Sequence, residues 1–292
     1  MSPLNKYLLV LGLLVSVTGF AQRYSYKKKF GTQKNTMYLH WGYNRSIYTK
    51  STIEFVGDQF NFKLFKAAAK DRPCNDFATY VDPTSFTVTQ FSVRIGWLYK
   101  FRWDWSFGWD HFKYVMRDYQ SLYINGVIEG TTNSNLNGTF TNDDGKVLIR
   151  PEDLHYENTN GLNYVSFRLT NTAPIYKTNN RKFAIQRRLG AGFGAVLTQV
   201  DFNWDDNVYH SDPQIAGYGL SLHGGIRFDF WNRFYLQNSF STGFMHLVKN
   251  GLPVSPNAYA KHKFMYASWD ISLGVLWYLR TKNGCDSCPD WH

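Results

Sequence analysis

The stretch Y-A-S-W-D-I-S-L-G-V-L-W-Y-L-R, Tyr266 to Arg280, alternates apolar and polar side chains with a period of two. Successive side chains of a β-strand point to opposite faces, so one face of this segment suits hydrocarbon and the other a polar interior. The apolar row has tryptophan near both ends, which is typical of a strand that crosses a bilayer between two aromatic belts. The apolar face comprises Trp269, Ile271, Leu273, Val275, Trp277 and Leu279, and the polar face begins with Ser268, Asp270, Ser272 and Gly274.

Seven further segments repeat this pattern. Together they predict an all-β chain that forms a single antiparallel transmembrane β-barrel of eight strands with long extracellular loops. The clearest hairpin joins Phe91–Tyr99 to Trp103–Asp110 through a tight turn at 100–102. A ten-strand alternative adds Thr52–Lys66 and Gln120–Ile128, and it ranks second because it lengthens several periplasmic connections. The other segments begin at Met37, Val165, Leu189, Leu220 and Phe234.

The ends of the chain suggest how it is organised. Residues 1–21 have the form of a signal peptide, with a basic start, an apolar core and a small-x-small end at Ala21. We expect a basic periplasmic leader at 22–35, the barrel at 36–280 and a periplasmic tail at 281–292. Such barrels have short periplasmic turns, which places both mature termini in the periplasm. The predicted turns lie at 100–102, 174–184 and 231–232, and the predicted outer loops near 49–85, 110–162, 201–216 and 249–263.

The composition supports a membrane interface. The chain has 10 Trp, 20 Tyr and 23 Phe among 292 residues, and its net charge is +10. Amphipathic aromatic rings sit well at a bilayer surface, and an exported basic protein is expected to meet phosphate-bearing lipids. Outer-membrane lipids and lipopolysaccharide are therefore the expected partners, with a surface protein or ligand as a further one. No nucleic-acid motif, phosphate loop, dinucleotide fingerprint or zincin helix is present, so no nucleic acid and no cofactor are predicted.

A resemblance adds to this interpretation. The hairpin R-I-G-W-L-Y-K-F-R-W-D-W-S-F-G-W-D-H at 94–111, the signal peptide ending in Ala21-Gln22 and the terminal strand resemble small outer-membrane β-barrel proteins. Such barrels are common in the Bacteroidetes, and the architecture is similar to that of OmpA- and OmpX-type barrels. The resemblance implies an integral protein of a Gram-negative outer membrane. It implies little about activity, because this fold hosts adhesins, structural proteins and enzymes. The tail after Arg280 departs from the pattern.

The polar rows of the strands contain charges of both signs. Side chains fill the interior of an eight-stranded barrel, and isolated buried charges are very costly. Opposite charges enclosed there are therefore expected to pair, which favours a salt-bridged plug over an open or gated pore. The same rows carry two histidines, which we interpret as members of this network rather than metal ligands. The inward residues are Arg94, Arg168, Arg227, Asp104, Asp229, Asp270, His40 and His223.

Two clusters on the predicted outer loops could carry chemistry. His155 and Glu157 stand in H-Y-E-N-T-N-G, which faintly resembles the His-x-Ser-Asn-Gly signature of lipid A deacylases with Glu in place of Ser. The nucleophile is thus missing, although a His–Glu pair can do acid–base work. Asp110-His111 lies at a strand end, where barrel proteases place an Asp–His pair. Neighbours on a strand point opposite ways, however, so this pair requires a bulge. A turn in the first case and a solvated rim in the second are the simpler interpretations.

The predicted tail contains C-D-S-C. Cys285, Cys288 and His292 could ligate a metal, because thiolates and imidazole are common zinc ligands. A lone C-x-x-C lacks the second pair of ligands that is typical of a metal site. A periplasmic disulfide or an inert tail therefore also explains these residues.

Three functions remain open at this point. The leading hypothesis is a non-enzymatic outer-membrane barrel whose outer loops bind a surface partner or lipopolysaccharide. The second is an outer-membrane enzyme that acts on lipid A or on surface peptides. The third is a small or gated porin.

Overall fold

The computed structural model describes residues 34–74, 79, 89–129, 131–132, 136–179 and 182–279. The predicted signal peptide and nearly all of the basic leader lie outside these residues, as does the predicted tail with Cys285, Cys288 and His292. The described chain is built almost entirely of β-strands. They are β1 (Thr36–Tyr48), β2 (Ser51–Val56), β3 (Phe60–Ala67), β4 (Ala69–Lys70), β5 (Phe91–Lys100), β6 (Trp103–Met116), β7 (Gln120–Ile128), β8 (Gly138–Phe140), β9 (Lys146–Ile149), β10 (Leu154–Lys177), β11 (Phe183–Trp204), β12 (Asn207–His210), β13 (Gln214–Phe230), β14 (Phe234–Gly251) and β15 (Tyr259–Tyr278).

Eight of these strands close into an antiparallel ring. The order is β1-β5-β6-β10-β11-β13-β14-β15, and β15 pairs with β1 to complete the circle. This confirms the eight-stranded barrel. The hairpins at one end are short; Trp231 and Asn232 both have positive φ, which is the turn geometry that matches the twist of two antiparallel strands. The β10–β11 connection spans only 178–182, because both strands run further than the predicted turn at 174–184 allows.

The outward face of the ring is an apolar belt. Its side chains are exposed even though they are large and hydrophobic; Leu273 is 68% and Trp269 is 50% exposed. Water does not favour a continuous apolar surface of this size, whereas the hydrocarbon of a bilayer does. The belt identifies the ring as the transmembrane part. The described residues include no helix with the length and hydrophobicity needed to cross a membrane.

Several ring strands continue beyond the belt at one end and form an outer domain. Tyr259–His262 of β15 pair with β2, and the sheet then runs through β3 and β7 to β8 and β9. Opposite this sheet, β10 and β11 also extend, and β11 adds the short β12. The segments of the ten-strand alternative are therefore strands, but they pair outside the ring. β2 and β15 lie near opposite ends of the sequence, so local patterns give little indication that they pair.

The outer domain has an apolar core that fills the mouth of the barrel. Its strands alternate between exposed and buried positions, and the buried rows of the two sheets face each other. Aromatic rings pack closely there; the Phe60 and Trp204 ring centroids lie 4.8 Å apart. The core includes Ile53, Phe55, Phe60, Phe62, Leu64, Phe112, Tyr114, Leu122, Ile124, Leu154, Tyr156, Val200, Phe202, Trp204, Leu247 and Phe264.

A second, smaller cluster closes the opposite end of the barrel. Tyr38, Leu98, Tyr235 and Leu276 are buried beside the short hairpins, and Tyr278 packs against them. The lumen is thus bounded by apolar side chains at both ends. Its charged side chains lie between these two clusters.

Candidate functional site

The centre of the lumen holds a carboxylate shared by two arginines. Asp110 accepts hydrogen bonds from Arg94 Nη2 at 3.0 Å and from Arg168 Nη2 at 2.7 Å. Ser92 donates a third hydrogen bond to Asp110 at 2.7 Å, and Arg94 Nη2 also donates to Ser166 Oγ at 3.0 Å. Alternation along β5, β6 and β10 directs all of these side chains inward. Charge-assisted hydrogen bonds of this kind keep the arginines in place rather than free to bind a solute.

Two more ion pairs lie toward the end that the smaller cluster of Tyr38, Leu98, Tyr235 and Leu276 closes. Arg188 Nη2 donates to Asp104 Oδ1 at 3.1 Å, and the Tyr38 hydroxyl donates to the same oxygen at 2.6 Å. Arg227 Nε lies 2.7 Å from Asp229 Oδ1. Each guanidinium also stacks on a tyrosine, with Arg188 over Tyr38 and Arg227 over Tyr235. Together with the cluster around Asp110, these pairs place charged side chains of both signs across the described lumen.

Sequence reasoning missed two members of this network. Asp110, interpreted from the sequence as part of a strand-end pair or a solvated rim, is its central carboxylate. The second is Arg188. It lies on the inward row of β11, two residues before Gly190, where the predicted strand had not yet begun. Extending the alternation of β11 by one more inward residue would have found it. The ion pair with Asp104 on β6 spans the lumen, so the partner itself could not be predicted from either strand alone.

A small cavity lies between Asp270 and three arginines, Arg94, Arg168 and Arg188. It is lined mainly by polar side chains, including His40, His223 and Gln237. Asp270 Oδ1 accepts a hydrogen bond from Ser272 at 2.8 Å, and no ion pair with Asp270 is formed among the described residues. His40 Nδ1 bonds the Tyr235 hydroxyl, and His223 Nε2 bonds Thr170 Oγ1. The two histidines therefore belong to the lumenal network.

His155 and Glu157 lie together on the outer domain. His155 Nε2 is 3.1 Å from Glu157 Oε2, and His155 Nδ1 is 2.9 Å from Asp118 Oδ1. Arg72 Nη1 donates to both carboxylate oxygens of Glu157 at 3.1 Å. Burial alone would raise the pKa of Glu157, but the hydrogen bond and charge of His155, with Arg72 nearby, hold it below its ordinary value. Both imidazole nitrogens face carboxylates, so neither is free to activate a nucleophile.

Asp110 and His111 do not form a pair. Asp110 points into the lumen, whereas the His111 ring stacks on Phe91 with centroids 5.3 Å apart. His111 Nδ1 bonds Asn163 Oδ1 at 2.8 Å. The strand is regular here, with Asp110 and His111 opposite Tyr164 and Asn163, so alternation separates the two side chains. The bulge that a protease-like pair requires lies further out, between Asn158 and Leu162.

Within the described part of the chain, no three His, Cys, Asp or Glu side chains are grouped so as to hold a metal ion. The candidate ligands Cys285, Cys288 and His292 lie outside that part. The arrangement of the described residues favours structural ion pairs in the lumen and a salt-bridged surface cluster around His155.

Comparison with known proteins gives a likeness of fold. No family model matches the chain, and no curated protein matches it. Among solved structures, the chain is similar to the outer membrane protein OprG of Pseudomonas aeruginosa, with 10% identity, a TM-score of 0.39 and coverage of 85% of this chain and 99% of that one.

Two further solved structures are similar at the same level. The outer membrane protein AlkL has 12% identity and a TM-score of 0.37, covering 91% of this chain and 100% of that one. The attachment invasion locus protein Ail of Yersinia pestis has 11% identity and a TM-score of 0.32, covering 84% and 99%. At these identities and TM-scores the similarities carry no argument about activity, and function is inferred from this chain's own residues.

Proposed function

We propose that the chain is an integral outer-membrane protein that is non-enzymatic and non-conducting, and that it binds a partner at the cell surface through its outer domain. One observation carries this proposal: ion pairs occupy the lumen around a small cavity, and apolar clusters close both of its ends. This packing supports a barrel that does not conduct solutes. The strands that continue beyond the belt instead form a packed domain with its own core.

The proposed orientation places the outer domain outside the cell and the short hairpins in the periplasm. It rests on the usual asymmetry of such barrels, which have short periplasmic turns and longer outer segments. Kinship with Bacteroidetes barrels or with OmpA- and OmpX-type barrels stays a prediction. The protein surface offers ionic and aromatic groups for a partner. The proposed position in the outer membrane favours lipopolysaccharide as the class of partner.

Surface labelling in intact cells tests placement and orientation together. In a background in which Cys74, Cys285 and Cys288 are all replaced by Ser, Ser121→Cys puts a thiol on the exposed face of β7, and Arg102→Cys puts one in a short hairpin. A membrane-impermeant maleimide should label Ser121→Cys in intact cells and Arg102→Cys only after the outer membrane is permeabilised. The reverse pattern would overturn the orientation, and equal labelling of both would overturn membrane placement.

The lipid A enzyme is the weaker alternative. Its candidate residues, His155 and Glu157, are held in an ion-pair cluster with Arg72 and Asp118. Lipid A mass spectra from cells that express the protein, the His155→Ala variant or no protein should be identical. A lipid A species that requires both the protein and His155 would instead establish an enzyme.

A further inference from the structure

A row of basic side chains crosses the outward face of the barrel just above the apolar belt. We call His246, Lys249, Lys261 and Lys263 the basic ridge. On β15 every outward residue from Trp277 to Met265 is apolar, and the next two outward residues are Lys263 and Lys261. His246 of β14 lies directly opposite Lys263 in the sheet register. The ridge therefore occupies the level at which lipid headgroups meet the protein.

The three lysines of the ridge form no ion pair within the described chain. Other lysines of the outer domain do: Lys63 lies 3.6 Å from Glu54, and Lys70 lies 3.8 Å from Asp118. Glu54 is opposite Lys261 in the register, yet its carboxylate pairs with Lys63 on the far side. Like charges on neighbouring positions of a sheet repel each other. A ligand with negative charge would relieve that repulsion.

The lysines of the ridge act electrostatically on His246. Its pKa is lowered first by burial and then by the charges of Lys263 and Lys261. Its Nδ1 lies 3.2 Å from the Tyr218 hydroxyl, so a polar aromatic ring borders the ridge on the β13 side. Lysine charges that act on one imidazole are close enough to act together on one anionic group.

A β-bulge brings Lys249 to the ridge. The β14–β15 register shifts between Leu247 and Asn250, and as a result the consecutive residues Val248 and Lys249 are both exposed. Lys249 Nζ lies 5.7 Å from the centroid of the Tyr259 ring. Bulges commonly redirect a side chain in this way. The bulge adds a third cation that regular alternation would not have placed there.

We propose that the basic ridge binds the phosphate groups of a phosphorylated glycolipid in the outer leaflet, such as the lipid A part of lipopolysaccharide. The inference rests on the proposed outer-membrane placement and names the partner of that surface. Met265 and Trp269 below the ridge would contact acyl chains while the lysines contact phosphate. This position favours a lipid headgroup over a free anion, which would gain nothing from the apolar residues beneath.

Titration in neutral-detergent micelles tests the ridge. The full chain is titrated with lipid A, with lipid A from which the phosphates have been removed, and with inorganic phosphate, and bound ligand is counted by native mass spectrometry. The test variant carries Lys249→Gln, Lys261→Gln and Lys263→Gln. The control carries Lys66→Gln, Lys70→Gln and Lys146→Gln, which removes the same charge from exposed positions of the same domain and leaves the Lys63–Glu54 pair beside the ridge intact. Heat-modifiable gel migration verifies that each variant folds.

The ridge variant should bind lipid A at least tenfold more weakly than the native chain, since each lysine near a lipid surface contributes roughly fivefold. The control should stay within twofold, and dephosphorylated lipid A should bind native protein as weakly as lipid A binds the ridge variant. Should the triple variant fail to fold, Lys263→Gln alone should weaken binding roughly fivefold. Equal losses in ridge and control variants would overturn the proposal, and so would inorganic phosphate that binds as tightly as lipid A. Because micelles require no cell envelope, this result is independent of the surface-labelling outcome.

Discussion

Gly108 of β6 lies directly beneath the guanidinium of Arg94: a Cβ built on Gly108 would be 2.6 Å from Arg94 Cζ and 2.8 Å from the Val93 carbonyl oxygen. The absence of a side chain at Gly108 leaves the space in which Arg94 crosses to Asp110. The polar plug of the barrel therefore depends on a glycine as well as on its charged residues.

Gly108→Ala should destabilise the barrel by about 1–3 kcal/mol, because the added methyl group meets a carbonyl and a guanidinium that is fixed by its bonds to Asp110. The midpoint of heat-modifiable unfolding measures the effect. Gly224→Ala is the matched control, since its nearest neighbour is the movable Leu189 Cδ2 at 2.9 Å. Equal midpoints for the two variants would show that Arg94 is free to move.

Asp110→Asn should cost about 3–5 kcal/mol of folding free energy, because it leaves two buried arginines without a counter-charge. Asp270→Asn should cost much less, since among the described residues Asp270 has a hydroxyl partner and no cation partner. Urea unfolding in detergent measures both variants at neutral pH. An Asp270→Asn loss as large as that of Asp110→Asn would contradict the assignment of Asp110 as the centre of the network.

Phe62→Ala should loosen the outer domain while the transmembrane ring stays folded. Phe62 is 1% exposed and packs against Phe55 and Trp204. A deletion of this size in a core costs about 3–5 kcal/mol. Limited proteolysis should then cut between β2 and β9 and leave a protected ring. Val127→Ala, on the outward face of β7, should change nothing. Loss of the whole barrel in Phe62→Ala would show that the ring and outer domain unfold as one unit.

Acid should destabilise the outer domain through His262. This imidazole is enclosed by Tyr114, Tyr156 and Phe264, and burial lowers its pKa from 6.5 to about 3. The unfolded chain therefore binds a proton that the folded chain does not, and stability falls as pH drops from about 6.5 toward 3, by roughly 1.4 kcal/mol per pH unit. His262→Phe should flatten that part of the profile. Protease resistance measured from pH 7 to pH 4 gives the slope, and identical slopes would contradict burial of a neutral His262.

Alternation along the strands was enough to predict the eight-stranded ring, because every transmembrane strand needs one apolar row that faces lipid and one polar row that faces the lumen. The inward positions of Arg94, Asp104, Arg168 and Asp270 follow from it directly. Which charge pairs with which does not, since Arg188 meets Asp104 across the lumen, and that contact depends on the stagger of the whole ring.

The outer domain was harder to predict. Polar, turn-rich segments such as 49–85 are typical of loops, yet β2 and β3 bury alternate residues against strands far along the chain. His262 and Ile53 are direct partners in the sheet although more than half of the sequence separates them. The basic ridge was missed for a related reason, since a register shift, and not alternation, exposes Lys249.

Single-channel recording of the purified protein in planar lipid bilayers tests the central claim most directly. A barrel filled by the Arg94–Asp110–Arg168 cluster and closed by apolar side chains at both ends should insert without producing conductance steps at any applied voltage. Stable, reproducible steps from folded protein would contradict a sealed lumen and would identify the chain as a porin.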